Sequence, residues 1–229
     1  MEKALIENSL PAFFDIDQVF LTVLGYGMSY VEFFGTVAGF IAVLLAARGN
    51  VWSWPIGLIN VILLFFLFYQ VQLYPDMFLQ IFFFITNVAG WWRWKNPAHT
   101  EADPKDELKV SFLNSTTRWI TVVLMISFTA GLGLAAARLH HWAPSFFNLP
   151  SAFPFADSFV TVASIVAQYW MLHKKAECWI LWILADIVAT ILYFQKGILF
   201  LSLEYLIFCF IALAGYLNWS GQFRTYEKT

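Results

Sequence analysis

Charge is scarce in this sequence. Charged residues make up 12% of the 229 positions, with 13 Lys and Arg against 15 Asp and Glu, where a soluble domain carries about 25%. A net charge of −2 offers no basic surface, which sets nucleic acid aside as a partner. There are two cysteines, Cys178 and Cys209, in or beside apolar segments and without metal-ligand spacing; they read as inert thiols. No Gly-rich phosphate loop is present, so ATP is not the direct driving force. No Ser–His, Cys–His or His-rich constellation falls in the apolar segments, which argues against an intramembrane enzyme and against a bound metal or cofactor. The first residues carry Glu2, Glu7, Asp15 and Asp17 against Lys3, the wrong charge for a cleavable leader.

What is there is apolar and aromatic: 60% hydrophobic residues, with 25 Phe and 11 Trp. One soluble core could not hide that much apolar surface, whereas a lipid bilayer solvates it. A membrane span needs about 20 apolar residues. Seven stretches meet or approach this: Tyr30–Ala47, Trp52–Tyr69, Tyr74–Trp94, Thr117–Ala137, Phe155–Leu172, Trp179–Phe194 and Ile198–Asn218. The segment Phe13–Ser29, with Asp15, Asp17, Gly25 and Gly27, is expected to form a short interfacial helix and loop, the alternative being an eighth span. The chain thus divides into an interfacial segment (1–29), three spans (30–95), a polar loop (96–116), a linker helix with its loop (117–154), three more spans (155–219) and a tail (220–229).

With seven spans, one side of the membrane receives Lys3, Arg138 and Lys196, and the other receives the remaining ten Lys and Arg. The basic side is cytoplasmic, which puts the N-terminus outside and the loop and C-terminus inside. A shift of 125 residues superposes Glu32 on Asp157, Thr36-Val37-Ala38 on Thr161-Val162-Ala163, Trp54 on Trp179, Gln70 on Gln195, Ala89-Gly90 on Ala214-Gly215 and Trp94 on Trp219. Each copy holds three spans, and the single span between them restores a parallel orientation. The expected fold is therefore all-α integral membrane, seven transmembrane helices in a 3+1+3 plan of two parallel repeats. Transporters built on repeats place their substrate near the membrane midplane.

Polar residues at membrane depth are costly and face protein or water. Gln80, Phe84 and Asn87 share one face of the third span, and Trp179, Trp182, Asp186 and Thr190 one face of the sixth. Asn60 lies midway along the second span, and Glu204 and Tyr205 lie about two turns into the seventh. The plain alternative is that the amides hold helices together, for about 0.6–2 kcal/mol each, and that Trp179, near a helix end, is an interfacial anchor. Asp186 is the sharpest candidate, because a mid-span carboxylate marks a functional site by default. Glu32, Asp76 and Asp157 lie near span ends and read as capping or solvated groups, and His140 and His141 as loop residues. No Lys or Arg falls in the middle of any span. A phosphate normally needs such a partner, so the solute is neutral or cationic. Aromatic faces beside a carboxylate suit a flat cation, and the amides suit hydroxyls or a carboxamide.

The run Trp54-Pro55-Ile56-Gly57-Leu58-Ile59-Asn60-Val61 resembles the PnuC-type nicotinamide riboside transporters. So do Gln70-Val71-Gln72-Leu73-Tyr74, Leu79-Gln80-Ile81-Phe82-Phe83-Phe84, the W-x-x-W of Trp179-Ile180-Leu181-Trp182, and Ser202-Leu203-Glu204-Tyr205. The likeness runs from about Val31 to Trp219. It implies a fold related to the SWEET sugar transporters, a homotrimer in the bacterial inner membrane, and uptake of nicotinamide riboside by facilitated diffusion, with a cytoplasmic riboside kinase trapping the product. On this reading Trp182 packs on the ring, with Trp179 and Phe84 in support, and Asn60, Gln80, Asn87, Asp186, Glu204 and Tyr205 supply polar recognition. At the position of Asp186 the family often carries Asn. The alternative is another small solute such as thiamin, riboflavin, a nucleoside or a sugar, of which a plain sugar fits the aromatic faces least.

Overall fold

The structure is a computed structural model that describes residues 12–23, 25–70, 74–103, 107–142, 152–195 and 199–226. The chain forms two compact units, Met1–Asn96 and Pro97–Thr229. The first opens with a single 3-10 turn, Ala12–Phe14, and an antiparallel hairpin of β1 (Val19–Val23) and β2 (Tyr26–Ser29). Helices α1 (Tyr30–Ala47), α2 (Ser53–Gln70) and α3 (Tyr74–Lys95) follow, with α2 packed against both neighbours. The second unit holds α4 (Ser115–Trp142), α5 (Pro154–Leu172), α6 (Glu177–Gln195) and α7 (Leu199–Tyr226), each packed on the next. Its core joins Met125 to Val162, Ala163 and Ala185.

Six of these helices are long and apolar enough to cross a membrane: α1, α2, α4, α5, α6 and the stretch Ser202–Thr225 of α7. Helix α3 has the length, 22 residues, but Gln80, Asn87, Arg93 and Lys95 dilute its apolar character. The interfacial helix expected over Phe13–Ser29 is not formed. The β-branched and aromatic run Val19-Phe20-Leu21-Thr22-Val23 favours a strand, and Gly25, at φ 84, adopts the left-handed backbone of a hairpin turn. His140 and His141 also lie in helix, since α4 continues to Trp142.

Helix α1 starts at a capping box: the Ser29 hydroxyl accepts from the Glu32 amide at 3.2 Å, and the Ser29 amide donates to the Glu32 carboxylate at 2.8 Å. Such a box satisfies two otherwise orphan donors. The corner after α1 recurs after α5, bond for bond, 125 residues on. Gly49 N donates to Ala46 O at 2.8 Å, and Lys174 N to Met171 O at 2.9 Å. Asn50 N donates to Leu45 O, and Lys175 N to Trp170 O, both at 2.9 Å. Ser53 N reaches Asn50 O at 3.1 Å, and Cys178 N reaches Lys175 O at 3.0 Å. The left-handed residue of the corner is Gly49 (φ 74) in one copy and Lys174 (φ 50) in the other. That backbone costs a non-glycine residue roughly 1–2 kcal/mol.

The second corner has a partner that offsets this cost. Residues 101–103 pair with residues 107–109, with Asp103 N donating to Glu107 O at 2.8 Å and Glu107 N to the Asp103 carboxylate at 2.9 Å. The chain then docks on the corner: Ser111 N donates to Lys174 O at 3.1 Å, Ala176 N to Ser111 O at 2.9 Å, and Lys175 Nζ to Ser111 Oγ at 2.8 Å. Glu177 accepts from Leu113 N at 3.0 Å and pairs with Arg118 at 2.8 Å. Lys174 is left 4% exposed. Burial pushes its ammonium pKa down, while the carboxylates of Glu107 and Asp103 act to hold it up.

The third helix of each copy meets the corner through a glycine. Trp54 stands edge-on to Trp94 at 5.2 Å and Trp179 to Trp219 at 5.4 Å. In each case the indole lies against a glycine of the helix bearing the second Trp, Gly90 and Gly215 respectively, where a Cβ would collide with the ring. Gly90→Ala and Gly215→Ala should therefore each destabilise the protein by about 1–3 kcal/mol through overpacking. Gly131→Ala, where nothing lies within 4 Å, should be neutral or slightly stabilising. Thermal unfolding of the three variants in detergent checks this. An equal response at all three positions would contradict the packing assigned to Gly90 and Gly215.

Candidate functional site

In the first unit the two Asn amides serve helix packing. Asn60 of α2 donates its Nδ2 to Gly35 O of α1 at 2.8 Å, and it can come that close because Gly39 has no side chain to block it. Asn87 of α3 donates to Phe83 O, one turn back, at 2.8 Å, and its Oδ1 rests against Gly57 of α2. Both amides thus have N–H groups committed to backbone carbonyls. Gln80 is buried. With Phe84 and with Val61, Ile62, Phe65, Phe66 and Ile81 it lines a cavity of about 250 Å³ between α2 and α3. The structure therefore brings Gln80 and Phe84 to one cavity and leaves Asn60 and Asn87 out of its lining.

In the second unit Trp179 parts company with Trp182. Trp179 is 1% exposed and packed between Gly215 and Trp219, the place that Trp54 occupies in the other copy. Trp182, one turn further along α6, is half-buried. Its indole N–H is shielded and has no hydrogen-bond partner among the described residues, so it is a donor that lacks an acceptor. Asp186, on the next turn of the same face, is 5% exposed. Its backbone carbonyl accepts from Thr190 Oγ1 at 2.7 Å, but its carboxylate makes no hydrogen bond or ion pair among the described residues. Cys209 of α7 lies within electrostatic reach of it.

Helix α7 carries Glu204 and Tyr205. Tyr205 stacks on Tyr193 of α6, with centroids 5.4 Å apart and planes 6° from parallel. Beside this stack the Ser202 hydroxyl donates to Thr190 O at 2.9 Å, joining the two helices. Glu204 is half-buried, and its carboxylate has no partner among the described residues. Sequence reasoning passed over Tyr193. The signal was available, since residue 193 stands at i+7 from Asp186 and i+11 from Trp182, on their helix face.

The two units thus differ in kind. The first offers an amide and aromatic faces, and the second offers two carboxylates, an indole donor and a tyrosine pair. Carboxylates without a cation in a water-poor setting attract one, and aromatic faces add to that attraction. No group of His, Cys, Asp and Glu among the described residues could hold a metal ion.

Known proteins resemble this chain in sequence and in fold. The sequence profile of a family described as nicotinamide mononucleotide transporter matches residues 29–221. A protein of Escherichia coli (strain K12), named nicotinamide riboside transporter PnuC, is 34% identical over 221 residues, which cover 87% of this chain and 89% of that one. A Streptomyces davaonensis protein, named riboflavin/roseoflavin transporter RibM, is 28% identical over 185 residues, covering 81% of this chain and 82% of that one. A crystal structure of the vitamin B3 transporter PnuC is similar at a TM-score of 0.65 and 25% identity, covering 86% of this chain and 83% of that one.

The two tryptophans of the W-x-x-W are separable by stability. Trp179→Ala and Trp54→Ala should each cost about 3–5 kcal/mol, the range for a buried aromatic. Trp182→Ala, at a half-buried position, should cost clearly less. Thermal unfolding of the three variants decides it, and a Trp182→Ala loss as large as the other two would make Trp182 a packing residue as well.

Proposed function

This chain belongs to the nicotinamide mononucleotide transporter family, and we propose that it carries nicotinamide riboside rather than the mononucleotide. It is a multi-pass membrane transporter. The observation that carries the choice of substrate is the charge inside its spans. No Lys or Arg stands mid-span, whereas Asp186 stands there and Glu204 lies about two turns into the last helix, neither with a cationic partner among the described residues. Nicotinamide riboside is a flat pyridinium cation with a carboxamide and ribose hydroxyls. The mononucleotide adds a phosphate, which needs cationic ligands that the spans do not provide.

On this reading Trp182 stacks on the pyridinium and Asp186 faces its charge. Phe84 adds a second aromatic face, and Trp179 supports Trp182 from the corner behind it. Gln80, Glu204 and Tyr205 address the carboxamide and hydroxyls. Asn60 and Asn87 each have one amide N–H already engaged by a backbone carbonyl and play the lesser part in polar recognition. The chain crosses a bacterial inner membrane seven times in a 3+1+3 plan of parallel repeats, with the N-terminus outside, and works as a homotrimer. Transport is facilitated diffusion, made productive by a cytoplasmic kinase that phosphorylates the riboside.

The likeness to a riboflavin/roseoflavin transporter favours a second reading, in which the aromatic faces take a flat neutral flavin. Titration calorimetry on purified protein distinguishes the two. Nicotinamide riboside should bind, with the mononucleotide, riboflavin and thiamin far weaker; equal affinity for riboside and mononucleotide would overturn the charge argument. Trp182→Ala should reduce riboside affinity about tenfold to a hundredfold, given a desolvated cation–π contribution of roughly 2 kcal/mol, and Trp182→Phe should recover part of it. A large loss in Asp186→Asn would show that the carboxylate charge balances the pyridinium, and a small one that it acts only as an acceptor. In sealed vesicles uptake should stop at equal concentrations inside and out. Accumulation driven by a proton or sodium gradient would contradict facilitated diffusion.

A further inference from the structure

The hairpin before α1 carries apolar side chains on both faces. In an antiparallel ribbon standing in water, side chains alternate between apolar inward and polar outward. Here Val19, Phe20 and Leu21 are all exposed, at 59%, 40% and 43%, and so is Tyr26 on the paired strand. A two-stranded hairpin is marginal by itself in water, and an exposed apolar strand is an aggregation liability.

The hairpin is held in a definite place. Phe20 packs on Tyr30 at 4.6 Å, Phe33 at 5.1 Å and Phe34 at 5.6 Å, and Phe13 lies 5.7 Å from Phe34. The Tyr26 hydroxyl donates to the Glu32 carboxylate at 2.7 Å. That bond, together with burial and the Glu32 charge, pushes the phenol pKa up to about 12, so the tie survives at any physiological pH. Gly27 lets Val19 close over the second strand, where an added Cβ would come within 3.1 Å of it.

Phe34 is where this cluster meets the lipid-facing side of α1. Phe34, Val37, Ile41 and Leu44 are exposed and spaced along one side of the helix. The aromatic cluster of Phe13 and Phe20 continues that stripe beyond the helix N-terminus. Helix α1 has 18 residues, a rise of roughly 27 Å at 1.5 Å per residue, slightly short of the about 30 Å of hydrocarbon. The hairpin lies at the end where the stripe must be extended, and Asp15 and Asp17, in the turn before β1, mark its watery limit.

We propose that the β1–β2 hairpin lies in the headgroup–acyl boundary of the bilayer, as a monotopic anchor that lengthens the lipid-facing stripe of α1. Rings at this depth are favoured, and the lipid replaces the water that both faces of β1 would otherwise meet. The inference depends on α1 spanning a membrane and is independent of which solute is carried.

The test is spin labelling of the full chain in liposomes of phosphatidylethanolamine and phosphatidylglycerol. Leu21→Cys is labelled in a Cys209→Ala background, where the remaining Cys178 is fully buried. Power saturation then compares collisions with oxygen, which concentrates in lipid, and with a water-soluble nickel chelate. Labels at Ile41→Cys and Thr100→Cys set the lipid and water limits. A ratio of oxygen to nickel access at Leu21 that is clearly above that at Thr100 and below that at Ile41 is the expected result. Nickel access like that at Thr100 would place the hairpin in water. Exclusion of both reagents would mean that protein covers it, such as a second copy of this chain. Either result overturns the proposal. If Leu21→Cys does not fold, Val19→Cys on the same strand gives the same readout.

Discussion

The seating of an indole on a glycine sets the geometry of both halves of this protein. Lipid tails are as apolar as leucine, so helices in a bilayer gain little from hiding apolar surface from each other and associate through close contact at small residues. Gly90 and Gly215 provide that contact. Each lets a large ring from the preceding helix lie directly on its backbone, and the second tryptophan, Trp94 or Trp219, closes the ring in from the edge. With the corners of Gly49 and Lys174, this fixes where the second and third helices of each copy stand. The faces that carry polar groups are thereby aimed.

The copies then diverge where chemistry is needed. Asn87 of the first copy sits against Gly57; the positions 125 residues on are Ala212 and Trp182. The same helix–helix contact is filled by an amide from the third helix in one copy, whereas the other has its bulk on the second helix and a small residue opposite. Gln80 corresponds likewise to Tyr205, and Val61 to Asp186. One scaffold therefore yields amides satisfied by backbone in the first unit and carboxylates with no cation in the second. That asymmetry underlies the reading of a cationic solute.

Much of this was legible in the residues. Seven helices fall where apolar stretches of the right length stand, and the 125-residue register read from Trp, Gly and Gln pairs reappears in backbone hydrogen bonds at the two corners. Other features were not. The W-x-x-W reads as one motif, yet its first ring is buried in the corner and its second is half-buried with a spare donor. Asn60 reads as a candidate ligand, yet its N–H is held by Gly35. The N-terminal segment, whose glycines and aspartates read as an interfacial helix and loop, forms a hairpin instead through its β-branched and aromatic run.

The sequence by itself determined where seven apolar helices fall, to within a few residues at their ends, and the 125-residue register that pairs Trp54 with Trp179 and Gly90 with Gly215. Those properties depend on hydropathy and capping over stretches of about 20 residues, and on a register that needs no coordinates. Only the tertiary structure decided which polar side chains are already satisfied, which tryptophan is packing, and how Ser111 and Leu113 dock on the second corner. Each of those outcomes depends on a partner tens of residues away, such as Gly35 for Asn60, Gly215 for Trp179 or Ser111 for Lys175. Whether a hydrogen bond or a van der Waals seat forms is set by distances of a few ångströms, which helix periodicity alone does not specify.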